Sequence, residues 1–387
     1  MYKILTLNNI SAVGLDRLPR DKYEIASEIQ HPDAILVRSA KMHGMEVPAT
    51  LKAIGRAGAG VNNIPVKEMS EKGIVVFNAP GANANAVKEL VIAGMLMAAR
   101  NIAQAWKFAV ELEGDDAFLH KAVEDGKKNY VGFELPGRTL GVIGLGAIGV
   151  RVANAARALG MKVIGFDPGI TVERAWELSA DVQQASSVDE VLVKADFVTF
   201  HVPLIDATRN LVNAERLKFM KDNVVVLNFA REGVVDEAAM VEALNSGKAH
   251  AYVSDFPTNL TKNHPRCITL PHLGASTGEA EDNCAIMVAD QVRDFLENGN
   301  ITNSVNFPEV KLPRKGSHRL AIANKNLPDM VGQMSHILGQ HKVNIAHMVN
   351  ESRGDLAYTL IDVEGEVPAA AAEAIRAIDG VLNVRVI

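Results

Sequence analysis

The sequence predicts an α/β protein: two Rossmann-like, doubly wound parallel-sheet domains followed by a C-terminal ferredoxin-like β-α-β-β-α-β module. Three observations predict it. Short apolar runs alternate with helical stretches over residues 1–80 and again over 139–296, the pattern of a parallel sheet with helices on its faces. An apolar run ending at Ile143 passes directly into Gly144, Gly146 and Gly149, then into a helical stretch, 150–159, apolar at Val152, Ala153, Ala156 and Leu159. Beyond a stretch rich in Asn, Pro, Lys and Gly, four apolar runs and two helical stretches follow in split βαβ order.

From the N-terminus, residues 2–7, 34–37, 53–55 and 75–77 are short and apolar enough for strands, with helical stretches such as 64–72 between them. This block carries no nucleotide fingerprint, so it is a domain distinct from the one built around Gly144. Residues 84–103 are small and apolar around most of the helical circumference, which predicts a long buried helix. Its most apolar part, 90–99, is too short to span a bilayer. After a strand at 162–166, further strands are expected at 197–203, 224–230, 251–254 and 268–272, with helices at 237–245 and 278–296. Pro308 and Pro313 mark 305–317 as a linker. The tail should place strands at 320–323, 344–349, 357–363 and 381–386, with helices at 328–340 and 368–378. The expected domains are therefore 1–95 with 280–304, 96–279, the linker, and 318–387.

Strand, glycine turn and helix in that order are the context a G-x-G-x-x-G dinucleotide fingerprint requires. Gly144 allows the tight turn, Gly146 lets a pyrophosphate approach the backbone, and Gly149 lets helix and strand pack closely. Ala147 and Ile148 open the helix, whose free N–H groups and positive dipole end suit phosphates. The following strand ends in Asp167, eighteen positions beyond Gly149, near where an acid holds the adenine-ribose hydroxyls. Pro168 and Gly169 come next, and no arginine is there to take a 2′-phosphate, so NAD is favoured over NADP.

The 387 residues are 48% hydrophobic and 22% charged, which suits a soluble chain of two or three domains. A net charge of −6 without a dense Lys/Arg block argues against nucleic acid as a partner. Cys267 and Cys284 form no metal-ligand spacing, so no metal is expected, and they suit a reducing compartment. The first residues, Met-Tyr-Lys-Ile-Leu-Thr-Leu, lack the features of a signal peptide. A cytoplasmic location and no membrane partner are expected.

Five co-linear motifs now carry a resemblance. They are Val37-Arg-Ser39, Gly55-Arg-Ala-Gly-Ala-Gly60, Gly144 to Gly149, Asn228-Phe-Ala-Arg-Glu-Gly-Val-Val-Asp236 and Pro271-His-Leu-Gly-Ala-Ser276. With them the chain resembles the D-2-hydroxyacid dehydrogenases over nearly its whole length. Its tail resembles the ACT domain, an amino-acid-sensing unit often attached to these enzymes. The resemblance implies Arg231 and His272 as catalytic residues. The chemistry needs these types. Oxidising a 2-hydroxy acid removes a hydride from C2 and a proton from its hydroxyl. An imidazole can take that proton, and a guanidinium can grip the carboxylate and polarise the C2 oxygen.

The resemblance also implies cofactor contacts from His201, Val202, Pro203, Thr208, Phe229, Ala230, Asp255, Gly274 and Ala275, and substrate contacts from Arg38, Ser39, Arg56, Ala82 and Asn83. Two arginines suit a phosphate, which arginine binds in a fork. The implied reaction is oxidation of 3-phospho-D-glycerate to 3-phosphohydroxypyruvate with NAD, in a homodimer or homotetramer. The alternatives are a glyoxylate or hydroxypyruvate reductase and a non-catalytic dinucleotide sensor. One departure stands out. Leu260 occupies the position of the family's histidine-orienting glutamate, and no acid lies between 256 and 271. Another carboxylate, Glu279 or Glu89, is expected to reach His272, or the enzyme is slow. In the tail, Asn326 and Asn344 match asparagines of serine-sensing relatives, and Asn324 stands where their histidine lies. A serine site and a purely structural oligomerisation module are both open readings.

Overall fold

Continuous aliphatic runs become inner strands here because both of their faces are covered. In the stretch 84–277 they form a seven-stranded sheet from β6 (Thr139–Ile143), β7 (Lys162–Phe166), β8 (Gln183–Gln184), β9 (Phe197–Phe200), β10 (Val224–Asn228), β11 (Ala249–Ser254) and β12 (Cys267–Thr269). For this labelling β1 to β5 are Tyr2–Leu7, Tyr23–Ala26, Ala34–Val37, Ala53–Arg56 and Val75–Phe77. The order is β12-β11-β10-β9-β6-β7-β8, all parallel, so the strand order reverses at β6. Every residue of β9 and β10 is buried.

This computed structural model describes residues 1–315 and 318–387; residues 316 and 317 of the expected linker lie outside the described residues. The chain divides into two units, Met1–Asn83 with Gly278–Ile387, and Ala84–Thr277. In the first, β1 to β5 make a parallel sheet in the order β2-β1-β3-β4-β5. The tail adds an antiparallel sheet of β13 (His318–Lys325), β14 (Asn344–Arg353), β15 (Leu356–Glu364) and β16 (Val381–Val386), in the order β14-β15-β13-β16. With the helices Met330–Gln340 and Ala369–Arg376 this is the split βαβ arrangement.

Strand periodicity explains how the tail is held. On β13, Leu320 and Ile322 face a core with Met334, Leu338 and Ile375 of the two helices. Ala321 and Ala323 alternate to the other face, where they join Tyr358, Leu360 and the Phe77, Phe295 and Phe307 rings. Strands β13 and β15 are thus covered on both sides. The segment expected as a linker contributes Phe307, Val310 and Leu312 to that core, and Val310 bridges Ile301. Asn306, 8% exposed, accepts from the Val76 N–H and donates to the Ile74 carbonyl.

The helix expected over 84–103 ends at Ala99 and restarts at Ile102, because Asn101 adopts a left-handed conformation that asparagine tolerates. The Ala84–Ala99 part is buried against β10 and β11: a Cβ at Gly94 would lie 3.1 Å from Phe229 and Val253 and 3.2 Å from Leu227. Strands β2 and β8 carried no clear signal. The first exposes Glu24 on a sheet edge, and the second is two exposed glutamines. No described helix is long and apolar enough to cross a membrane.

Candidate active site

In the Ala84–Thr277 unit the expected residues gather at the C-terminal ends of the strands, the usual ligand edge of a parallel sheet. The glycine turn follows β6. Gly144 has φ +92°, and a Cβ there would run into the His201 carbonyl. A Cβ on Gly149 would overlap the Gly144 carbonyl, so helix and strand touch through backbone. Gly146 differs: it is exposed, caps the Ala147–Ala158 helix without a side-chain bond, and has nothing within 4 Å of where its Cβ would sit. That open space over a free helix N-terminus is where a pyrophosphate fits. Asp167 braces the turn, accepting from the Leu145 N–H at 2.8 Å and the Gly169 N–H at 2.8 Å.

The contrast predicts two outcomes. Gly146→Ala should weaken NADH binding about tenfold or more while leaving the melting temperature unchanged, because only the ligand meets the new methyl. Gly149→Ala should lower the melting temperature, because it pushes on backbone. Fluorescence titration with NADH and thermal unfolding of both variants check this.

His201 follows β9. Its Nε2 lies 3.1 Å from Thr199 Oγ1, and its buried Nδ1 has no partner. Burial pushes the imidazole pKa down to about 3, so it is neutral at physiological pH. Val202 is half-buried and Pro203 exposed beside it. Thr208 commits its hydroxyl to this loop, donating to Pro203 O at 2.5 Å and accepting from the Ile205 N–H at 2.9 Å. After β10, Phe229 and Ala230 are buried, and Asn228 ties the turn by accepting from the Ala230 N–H and donating to the Arg231 carbonyl. Arg231 itself is exposed and donates to the Ala230 carbonyl at 2.6 Å. Sequence reasoning missed the bracing role of Asn228, although it lies inside the quoted motif.

His272 lies beyond β12, exposed, its ring 5.0 Å from that of Phe256. The neighbouring Asp255 is 1% exposed and accepts from the Gly274 N–H at 3.2 Å. Its other oxygen is buried without a partner, which leaves an acceptor for a carboxamide N–H. Burial holds the Asp255 carboxyl above the usual range, against the opposing charge of His272. Leu260, at the glutamate position, is 56% exposed. Within this unit Glu89 accepts from Asn85 at 2.9 Å, and the Phe256 ring packs against the imidazole. Gly274 is buried and Ala275 half-buried beside it.

In the other unit, Arg38 and Ser39 follow β3, Arg56 ends β4, and Ala82 and Asn83 follow β5. Arg38 Nη2 pairs with Glu281 Oε1 at 2.6 Å. Burial raises the Cys284 thiol pKa, and the positive charges of Arg56 and then Arg38 oppose that rise. Gly58, φ +151°, leaves the space that the Arg56 side chain fills. Asn8, itself left-handed, accepts from the Ser39 and Ala40 N–H groups, and Asn63 donates to the Ala40 carbonyl at 2.8 Å. These loops at one sheet edge are therefore held by asparagines that no motif pointed to. In the tail, Asn324 and Asn326 line one hollow, while Asn344 sits at the other end of the sheet, donating to Glu364.

A family model described as the NAD-binding domain of D-isomer specific 2-hydroxyacid dehydrogenases matches residues 92–274. The D-3-phosphoglycerate dehydrogenase of Methanocaldococcus jannaschii is 38% identical over 354 residues, 88% of this chain. This chain spans 64% of that protein's length. The enzyme of the same name from Haemophilus influenzae is 32% identical over 355 residues, 89% of this chain and 83% of its own length. Among solved structures, the NAD+-bound 3-phosphoglycerate dehydrogenase of Entamoeba histolytica matches with a TM-score of 0.62 at 26% identity, covering 79% of this chain and 98% of that one. The chain belongs to the D-isomer specific 2-hydroxyacid dehydrogenases, a family whose cofactor here is NAD.

Proposed function

We propose that the protein oxidises 3-phospho-D-glycerate to 3-phosphohydroxypyruvate, opening serine synthesis, and runs the reverse reaction with NADH. The observation that carries this reading is the pair Arg38 and Arg56, two arginines set side by side at the C-terminal ends of the neighbouring parallel strands β3 and β4. A phosphate is the anion such a pair suits, and the relatives named above bear the matching name. Bound at Gly146, NAD supplies the hydride acceptor. His272 takes the C2 hydroxyl proton, Arg231 holds the carboxylate and polarises the C2 oxygen, and Asp255 offers its unpartnered oxygen to the carboxamide. An NADH oxidation assay with phosphohydroxypyruvate, hydroxypyruvate and glyoxylate tests it. The phosphorylated acid should have the highest kcat/KM. Preference for either smaller acid would favour a reductase of the same family, and no turnover with any would favour the dinucleotide sensor.

The tail reads as an ACT-like serine sensor assembled between two copies. Its hollow holds the Asn324 oxygen, buried and unpartnered, beside Asp329, which has no capping bond at the head of the Met330–Gln340 helix. Acceptors for an ammonium group and free helix N–H groups for a carboxylate are the two ends of an amino acid. Strand β14 is an exposed edge of ten residues, a template for pairing with its own copy. Antiparallel self-pairing about its middle carries Asn344 of the partner subunit toward the end near Asn350, which lines the hollow. The exposed Trp106 and Val110, one turn apart on the helix Ile102–Val110, offer a second self-association face, which suits a dimer or tetramer. Saturable serine binding, measured by calorimetry, should disappear in Asn344→Ala and Asn324→Ala. A tail that only oligomerises the chain would show no serine binding in the parent protein. The free cysteines and the reaction itself suit the cytoplasm.

A further inference from the structure

The helix Gly278–Asn298 ends inside a socket made largely by the tail. A helix leaves its last carbonyls without partners, and here each finds one. Arg385 Nη2 donates to the Phe295 carbonyl at 3.1 Å and to Leu296 at 2.8 Å, with its guanidinium 4.4 Å from the centre of the Phe295 ring. Arg314 Nη1 reaches Glu297 at 3.3 Å, and Arg319 Nη1 reaches Asn298 at 2.8 Å. Tyr358 donates to the Gly299 carbonyl at 2.8 Å, and from the N-terminal sheet Tyr2 adds a bond to Leu296 at 2.9 Å. Three arginines at a helix C-terminus also complement its negative dipole end. The first turn of the same helix carries Glu281, the partner of Arg38, and Asp282, which accepts from Ser11 at 2.5 Å. Glu281 is the described partner of the Arg38 guanidinium, which is 36% exposed.

We propose that the tail sets the affinity of the site for its anionic substrate through this helix, with Glu281 as the residue that positions Arg38. The inference rests on Arg38 holding the substrate's anionic group. A helix of 21 residues is about 30 Å long and moves as one body. Its flank is tight against the fold: a Cβ at Gly55 would sit 3.0 Å from Val292, and Arg17 pairs with Asp290 at 2.8 Å. Loosening the socket therefore displaces the helix along its seat rather than bending it. A charge pair 2.6 Å long is sensitive to a shift of that kind. Arg38 then samples rotamers that an exposed arginine otherwise has freely, and binding a substrate must order it again.

Steady-state kinetics of full-length variants with phosphohydroxypyruvate test this. Glu281→Gln should raise KM about three- to tenfold with kcat within about twofold, and leave the NADH dissociation constant unchanged. Arg385→Met, which keeps the packing stem but removes the caps, should raise KM in the same direction. The double variant should raise KM less than the product of the two, since both act on one element. Multiplicative effects, a KM unchanged in Arg385→Met, or a KM lowered in Glu281→Gln would overturn the proposal. Should Arg385→Met fold poorly, Arg314→Ala replaces it, and hydrogen exchange at residues 279–284 should quicken in the variant. Unchanged exchange there would equally overturn it. Arg38→Met separates the two readings. If KM is insensitive to Arg38→Met, Arg38 is not the anion contact and the functional assignment fails at that residue. If it is sensitive while the cycle is multiplicative, only the coupling fails.

Discussion

His272→Gln should lower kcat by about 10²–10⁴-fold, the range of a lost general base, while KM for the 2-oxo acid and NADH binding change little. The argument is chemical before it is structural. Oxidising the C2 hydroxyl requires a proton acceptor near neutrality, and imidazole is the side chain whose ordinary pKa lies there. His272 is exposed beyond the end of β12, so it can reach a ligand, and its ring lies 5.0 Å from that of Phe256. His201 cannot substitute, because burial holds its imidazole at a pKa of about 3 and hence neutral and a poor base. Stopped-flow hydride transfer with the parent and the variant reads this. An unchanged kcat in His272→Gln would remove His272 from the chemistry.

Which parts of this were legible in the sequence follows from what each residue type must do locally. Gly144 and Gly149 could be found because a positive φ and a backbone contact each forbid a side chain, and the spacing records both. Inner strands such as β9 and β10 were legible because burial on both faces demands an unbroken apolar run. Edges left no such mark, and β8, two exposed glutamines, could not be seen. The break at Asn101 was hidden because a residue tolerant of left-handed backbone also occurs inside helices. The site divides in the same way. Arg231 and His272 sit in motifs and announce themselves, whereas Asn8, Asn63 and Asn228 act through backbone groups that only folding brings near. Glu281 is a further case. On a solvent-rich helix face a glutamate carries no signal until its partner, 243 positions earlier, comes beside it.

Asp362→Ala should destabilise the protein by about 3–5 kcal/mol, the cost of stranding a buried charge. Asp362 and Arg319 are both fully buried and meet through two bonds, Nε to Oδ1 at 2.5 Å and Nη2 to Oδ2 at 2.9 Å. The Lys315 N–H gives Asp362 a third, and Arg319 reaches on to the Asn298 carbonyl. Removing the carboxylate leaves a guanidinium that water cannot solvate and that cannot lose its proton. The pair's worth is a different quantity from the cost of breaking it. Arg319→Met with Asp362→Leu fills the same volume without charge, so the double variant should regain most of the lost stability. It should not regain the cap on Asn298, and a residual loss on the order of 1 kcal/mol is expected from that bond. The pH dependence has a fixed sign. Burial alone would raise the Asp362 carboxyl, and Arg319 overrides it, so the group sits below the usual aspartate range. Its stabilisation is therefore complete above the ordinary aspartate value of about 3.9, and is lost as the pH falls from there through the depressed folded value. Thermal unfolding from pH 7 down into acid should show parent and Asp362→Ala converging only at the acid end. A gap that closes near neutrality, or a loss below about 1 kcal/mol at pH 7, would mean that water reaches Arg319 and that the tail is held by its apolar face alone.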